Sequence, residues 1–325
     1  RGKLLQEEAA HLLVENISAC DEVWTVSHGA GENLHKLGYK GDYIVMPNGV
    51  DFPKGRVDDA LIAEVTQDAD LPEGVPVFLF VGRMMWYKGI RIILDALKEL
   101  ADGGTDFRMV FVGGGTERDE IVDYAESLKL GGRIHFCQPI HDRERIRAWY
   151  CRADLFLFPS TFDTNGLVVR EAAACALGSV LVAGSCAAEG ITDGVNGFLI
   201  EENAASMAAK LRELCAAPEA MARIGEGAQR DIYMSWEDAV ARAYSRYFTV
   251  IDGYKRGLYP KHEKLSDEMY KTMAKYLDSA NRSRDAQRRR AEELRRSYDE
   301  LKTGLTDERE RLMFEMRLNR KTMKD

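Results

Sequence analysis

Two short stretches gather side chains that can grip an anion and a set of hydroxyl groups. The first reads Gly82-Arg83-Met84-Met85-Trp86-Tyr87-Lys88-Gly89, directly after an apolar run at 77–81 and directly before a helical pattern that starts at Ile90. Gly82 lets the chain turn where a Cβ would hinder it. Arg83 and Lys88 then stand as two cations beside a helix N-terminus, whose unpaired amides and dipole favour negative charge. That combination suits a diphosphate. The plain alternative is a pair of solvated surface cations. The second stretch, residues 160–171, follows another apolar run at 155–158 and contains Asp163, Asn165, Gly166, Leu167 and Glu171. Asn165, Gly166 and Leu167 open a helix whose first amides are free for phosphate. Asp163 precedes that helix and Glu171 lies four residues beyond Leu167, one turn inside. Two carboxylates so placed can accept bonds from two separate sets of hydroxyls, such as those of a hexose and a ribose. As alternatives, Asp163 is an N-cap and Glu171 a helix-face charge. The small residues Ala172, Ala173 and Ala174 imply close packing around Glu171. A carboxylate there is costly without a partner, which favours the ligand reading.

The elements that must hold these loops are legible from short apolar runs. Residues 77–81, 109–112, 155–158 and 179–182 carry little or no polar alternation, as strands buried on both faces of a parallel sheet do. Between them lie helical patterns. Ile90, Ile93, Leu94, Leu97 and Leu100 share one face, and residues 117–128 and 142–150 are similar, the latter with Asp142 as N-cap. This alternation predicts an α/β fold with a doubly wound parallel sheet over residues 77–260, with ligands at the carboxyl ends of the strands. Residues 1–52 read as a helix, two strands and a crossover helix, too little for a domain and taken as a remnant of a second α/β domain. Residues 53–76 hold Pro53, Gly55, Pro72, Gly74 and Pro76 around one helical segment and read as a linker. Residues 235–254, with Trp236, Val240, Tyr244 and Tyr247, form an amphipathic helix expected to close the fold. Residues 261–325 are a charged helical tail. Met273, Leu277, Ala280, Ala291, Leu294, Tyr298, Leu301 and Leu305 follow a seven-residue rhythm there, interrupted at Arg284 and Gln287, with Gly304 expected to break the helix. The rhythm suggests a coiled coil.

Composition bounds the rest. The chain has 325 residues, 45% hydrophobic and 30% charged, and a net charge of −8. That is a globular protein with room for two domains. The tail carries 18 Lys/Arg against 14 Asp/Glu, and residues 1–260 carry 27 against 39. An acidic body argues against nucleic-acid binding. The six cysteines form no CxxC pair and mostly sit beside apolar residues, as free thiols of a reducing, cytoplasmic compartment do. No apolar run approaches the length of a membrane span, and no signal peptide is visible. The sequence starts at Arg1 with a helical pattern under way by Leu4, and reads as a fragment that has lost its beginning.

Taken in order, these pieces resemble the family-4 retaining glycosyltransferases of the GT-B fold. The resemblance rests on Gly82-Arg83 with Lys88-Gly89, on Gly113-Gly114-Gly115, and on Asp163 followed eight residues later by Glu171. Further pieces are Gly184-Ser185-Cys186-Ala187-Ala188-Glu189, residues 193–199 (Asp193-Gly194-Val195-Asn196-Gly197-Phe198-Leu199), and Pro47-Asn48-Gly49-Val50-Asp51. It covers roughly residues 1–255. The resemblance implies a C-terminal Rossmann-like domain that binds a nucleotide-diphospho-sugar, UDP-glucose or similar, and transfers its hexose with retention to a lipid or saccharide acceptor. It implies that Arg83 and Lys88 hold the diphosphate and act in catalysis. Gly82, Asn165, Gly166 and Leu167 would line the donor, Glu171 would take the ribose hydroxyls, and Asp163 the donor sugar. Asp163 stands where the family more often has Glu, one methylene longer. No cofactor and no metal ion is expected, the nucleotide sugar being a substrate. Most of the acceptor-binding domain, with a family His near the donor sugar, would precede this sequence. His28 and His141 are read as structural or exposed rather than as substitutes. The alternative is an inactive nucleotide-sugar-binding module whose tail recruits a partner. An epimerase of the same fold ranks last, and the spacing after Gly113 lacks the third glycine of a dinucleotide fingerprint. Glu189 is expected either to touch the donor or to cap the next turn. The Arg288-Arg289-Arg290 run fits a peripheral place at the inner membrane face, or self-association, through the tail.

Overall fold

The computed structural model describes residues 2–259, 274–297 and 312–313, with side chains from Ala9 onward. The chain opens with helix α1 (Gly2–Ser18), strand β1 (Trp24–Thr25), helix α2 (His28–Lys36) and strand β2 (Ile44–Val45). Helix α3 (Asp59–Thr66) follows, and then β3 (Val77–Val81), α4 (Ile90–Asp102), β4 (Arg108–Val112), α5 (Arg118–Ser127), β5 (Ile134–Cys137), α6 (Arg143–Arg152), β6 (Leu155–Phe158), α7 (Leu167–Ala174), β7 (Ser179–Val182) and β8 (Phe198–Ile200). Helices α8 (Ala204–Ala216), α9 (Pro218–Asp231) and α10 (Trp236–Lys255) complete the series.

Strands β3 to β8 form one six-stranded sheet in the order β5-β4-β3-β6-β7-β8, every pair parallel. The chain winds outward from β3 to β5, returns to the middle at β6 and winds outward the other way. The reversal leaves a crevice between the carboxyl ends of β3 and β6, where ligands of such sheets bind. The four apolar runs are therefore strands at the expected places. Two further strands were not apparent from pattern. Strand β5 is an edge strand interrupted by His135, and β8 is three residues long.

The sheet is stable because its central strands remove large side chains from water on both faces. Val77, Phe78, Leu79 and Phe80 are 0% exposed, as are Met109, Val110, Phe111, Leu155, Phe156 and Leu157. Each such burial contributes roughly 1.5–3 kcal/mol. Phe80 stacks on Phe158, and Phe111 on Phe136, with ring centroids 5.9 and 5.1 Å apart. Helix α4 buries Ile90, Ile93, Leu94, Leu97 and Leu100, the face read from the spacing. Asp142 caps α6 by accepting from the amides of Glu144 at 2.9 Å and Arg145 at 3.0 Å.

Residues 1–261 form one compact unit and residues 262–325 another. Within the first, β1 and β2 pair parallel around α2. The stretch 53–76, expected as a linker, is more than a connection. Its helix α3 packs on α6, burying Ile62 and Val57 against Ala148 and Cys151. Helix α10 meets the β1–β2 piece through an ion pair of Arg246 with Glu22 and through Trp24 on Tyr247, ring centroids 5.0 Å apart. Its expected apolar burial is not realised: Trp236, Val240, Tyr244 and Tyr247 are all exposed, because a single side of the helix reaches β1. In the second unit residues 274–297 are helical, with Leu277 and Leu294 exposed. Met273, Tyr298, Leu301, Gly304 and Leu305 lie outside the described residues, so the seven-residue rhythm is described only in part. No helix among the described residues is long and apolar enough to cross a membrane.

The carboxyl ends of β3 and β4 approach so closely that a side chain cannot be added between them. A Cβ on Gly113 would lie 1.9 Å from the carbonyl oxygen of Gly82. Gly113→Ala is expected to cost roughly 2 kcal/mol or more through backbone displacement, read as a lower midpoint in urea unfolding. An unchanged midpoint would contradict this packing.

Candidate functional site

The loop after β3 and the loop after β6 face each other across the crevice. Gly89, at φ 77°, caps α4 in the left-handed region that favours glycine, and a Cβ there would lie 2.4 Å from the carbonyl oxygen of Pro159. This close approach brings Lys88 over the end of β6. Lys88 is buried, 7% exposed, and its Nζ donates to Asp163 Oδ1 at 2.7 Å. The other oxygen, Oδ2, accepts from the buried Ser160 hydroxyl. Asp163 therefore does not cap α7. That position belongs to Gly166, at φ 58°. Asn165, Gly166 and Leu167 open α7 as the sequence indicates.

The site residues divide between two adjoining hollows that share Val81, Gly82 and Arg83. One, of about 280 Å³, is lined by Lys88, Asp163, Asn165, Gly166 and Leu167, with Asn48 from the segment that follows β2. The other, of about 530 Å³, is lined by Gly113, Gly114, Gly115, Arg143 and Glu171. All eight candidate residues thus lie at one end of the sheet. Arg83 is exposed at the boundary, its guanidinium 5.9 Å from the centre of the Tyr87 ring, and no ion pair among the described residues involves it. Asn165 carries a buried Nδ2 with no hydrogen-bond partner among the described residues.

Glu171 is held by residues that sequence reading did not single out. Its Oε2 accepts from Tyr150 Oη at 3.1 Å, and Arg143 Nη1 lies 3.4 Å from Oε1. Arg143 Nη2 reaches Asp51 at 2.9 Å, and its guanidinium lies 5.0 Å from the Phe52 ring centre. Burial pushes the Glu171 carboxyl above its ordinary range, and the Arg143 charge and the Tyr150 hydroxyl oppose that shift. Burial raises Tyr150 well above an ordinary phenol, so it remains a donor. The signal was present in the spacing. Arg143 and Tyr150 stand seven residues apart on α6, one face of a helix turned toward α7. Both acids and one of the two candidate cations are thus already partnered. Lys88 is neutralised by Asp163, Glu171 is balanced by Arg143, and Arg83 is left as the exposed positive group.

Glu189 caps a helix, though not the turn that follows it. Its carboxylate accepts from the amides of His28 and Gly29, each at 2.7 Å, and so caps the N-terminus of α2. His28 and His141 are both exposed. No group of three or more His, Cys, Asp or Glu side chains that could hold a metal ion occurs among the described residues.

This strand order and its flanking helices define a Rossmann-like α/β domain. Residues 62–231 match the family of glycosyl transferases group 1, and the chain belongs to that family. It is 29% identical over 259 residues to a D-inositol 3-phosphate glycosyltransferase of Xylanimonas cellulosilytica, covering 76% of this chain and 60% of that protein. It is 31% identical over 194 residues to D-inositol 3-phosphate glycosyltransferase 1 of Catenulispora acidiphila, covering 56% and 46%. The chain spans about half to three-fifths of the length of these relatives. Among solved structures it is similar to sucrose-phosphate synthase of Thermosynechococcus elongatus (TM-score 0.65, 22% identity, 76% of this chain and 62% of that one). It is also similar to Anabaena HepE in complex with UDP and glucose (TM-score 0.63, 19% identity, 76% and 68%). Those two likenesses concern the fold.

Asp163→Ala would leave Lys88 buried without a counter-charge. It is expected to lower stability by roughly 2–4 kcal/mol, while Lys88→Met combined with Asp163→Ala recovers most of the loss. Urea unfolding of the single and double variants measures this. An Asp163→Ala protein as stable as the parent would contradict the pairing.

Proposed function

We propose that the crevice binds a nucleoside-diphospho-sugar, UDP-glucose or a similar donor, and that the protein transfers its hexose to a lipid or saccharide acceptor with retention of configuration, as a cytoplasmic enzyme. The observation that carries the reading is the convergence of Arg83, Lys88 and the α7 N-terminus on one side of the crevice with Glu171 on the other. In this reading the diphosphate lies over Gly82 between Arg83, Lys88 and the amides at Gly166 and Leu167, and the ribose hydroxyls meet Glu171. An ammonium has three donors. Lys88 spends one on Asp163 at 2.7 Å and keeps the others for phosphate oxygens.

Transfer begins as the bond from the anomeric carbon to the diphosphate lengthens and the sugar gains oxocarbenium character. Negative charge then builds on the leaving phosphate. Charges already fixed at that point lower the barrier without having to reorganise, the largest kind of electrostatic catalysis an enzyme has. Lys88 is fixed in this way by its burial and by Asp163. The departing phosphate takes the acceptor proton, as the family resemblance implies. Asp163 has both oxygens engaged in this structure, so its approach to the donor sugar is through its remaining lone pairs. The names of the relatives support glycosyl transfer, and that of HepE, with UDP and glucose bound, supports the donor class.

Calorimetric titration tests the division of labour. Arg83→Ala is expected to weaken UDP and pyrophosphate about tenfold or more, since a charge-assisted hydrogen bond contributes roughly 1.5–3 kcal/mol. Glu171→Gln is expected to weaken UDP and UMP alike and to leave pyrophosphate unchanged. Equal losses for all three ligands in Glu171→Gln, or unchanged UDP affinity in Arg83→Ala, would contradict the assignment.

A further inference from the structure

A cavity of the first unit lies away from the donor crevice. It encloses about 810 Å³ and is lined by Pro76, Asp154 and Leu177, the residues that precede β3, β6 and β7 or stand within two of them, so it opens at the amino ends of the strands. Two cysteines line it together. Cys151 sits in the last turn of α6 and Cys175 caps the C-terminus of α7. They pack in one small cluster with Val57, Ile62 and Ala148.

The surroundings favour negative charge on the first sulfur. Cys151 packs against Val57 and lies near Arg56 and Arg147. Arg56 Nη1 also donates to the Cys151 carbonyl at 2.6 Å, which holds that guanidinium in place. Arg147 has a buried Nε with no hydrogen-bond partner among the described residues. The Cys175 thiol, the Val57 amide and the two guanidinium groups pull the Cys151 thiol below its ordinary range against the cost of burial. Cys137 and Cys215 show the reverse. Burial pushes both up to about 11.

We propose that Cys151 and Cys175 form a redox-active dithiol, a modification site in which a peroxide converts the pair to a disulfide that staples α6 to α7. The Cys151 thiolate attacks one peroxide oxygen, the O–O bond breaks, and a sulfenic acid forms as the first water leaves. The Cys175 sulfur then attacks the Cys151 sulfur, the S–O bond breaks and a second water leaves. The two thiols lose two protons and two electrons, and the peroxide is reduced to two waters. The same helices carry Tyr150, adjacent to Cys151, and Glu171, one turn before Cys175. The staple therefore strains the Tyr150–Glu171 contact and weakens nucleotide binding, a consequence that rests on the donor reading above.

The test treats the full chain with a few-fold excess of hydrogen peroxide, alkylates remaining thiols after unfolding, and maps an unreduced digest by mass spectrometry. The expected result is a 151–175 cross-linked peptide that dithiothreitol reverses, with Cys137 and Cys215 recovered alkylated. In Cys175→Ser the expected result is a sulfenic acid at Cys151, trapped by a dimedone probe. Cys151 and Cys175 recovered alkylated to the same extent as Cys137 and Cys215, or no trapped sulfenic acid in Cys175→Ser, would overturn the proposal. UDP titration of oxidised against reduced protein should show at least a threefold loss of affinity on oxidation. Equal UDP affinity in the two forms would overturn the coupling to the crevice. Failure of UDP to bind the reduced protein would instead count against the donor reading and leave the disulfide map to decide the dithiol site.

Discussion

The Lys88–Asp163 pair is the contact on which the crevice depends. It joins the loop after β3 to the loop after β6 at the point where the winding of the sheet reverses. A lysine at 7% exposure is unfavourable unless it is paired. The pair adds little net stability over an apolar substitute, because desolvation offsets the attraction. What it supplies is position. It fixes an ammonium at the carboxyl end of the sheet and fixes the chain just before the α7 N-terminus.

The second carboxylate is governed by the same constraint. Glu171 is largely covered among small residues of α7, so burial raises its carboxyl, and Arg143 and Tyr150 oppose that shift from α6. Arg143 extends the network to Asp51 in the segment that arrives from β2. Lys88 with Asp163 and Arg143 with Glu171 thus hold one another, and Arg83 is the cation left at the opening. In the proposed reading a diphosphate would bring charge to that point, and hydroxyl groups would compete for carboxylate lone pairs that are already oriented. Orientation in advance is what lets a site stabilise charge as it develops.

Much of this was legible because it follows from local rules. Runs such as 77–81 and 155–158 have no polar alternation, so they form central parallel strands, and the loops after them carry the site. The spacing of Ile90, Ile93, Leu94, Leu97 and Leu100 gave the buried face of α4, and Asp142 gave the start of α6. Other features depend on partners distant in sequence. Strand β5 holds His135 and Cys137 because an edge strand tolerates them. Glu189 caps α2 from 160 residues away, a pairing no spacing rule reveals. The sequence placed Arg83, Lys88, Asp163 and Glu171 together, yet not the internal pairing that neutralises three of them. That pairing depends on the crossing of α6 and α7 and on the return of the chain to β6.

Whether the crevice holds a nucleoside diphosphate is decided most directly by a crystal structure of the protein grown with UDP. The account predicts phosphate oxygens within hydrogen-bond distance of Arg83, Lys88 and the Gly166–Leu167 amides, with the ribose hydroxyls on Glu171. UDP bound at the opposite end of the sheet, or with its phosphates turned toward Glu171 and away from Lys88, would contradict it.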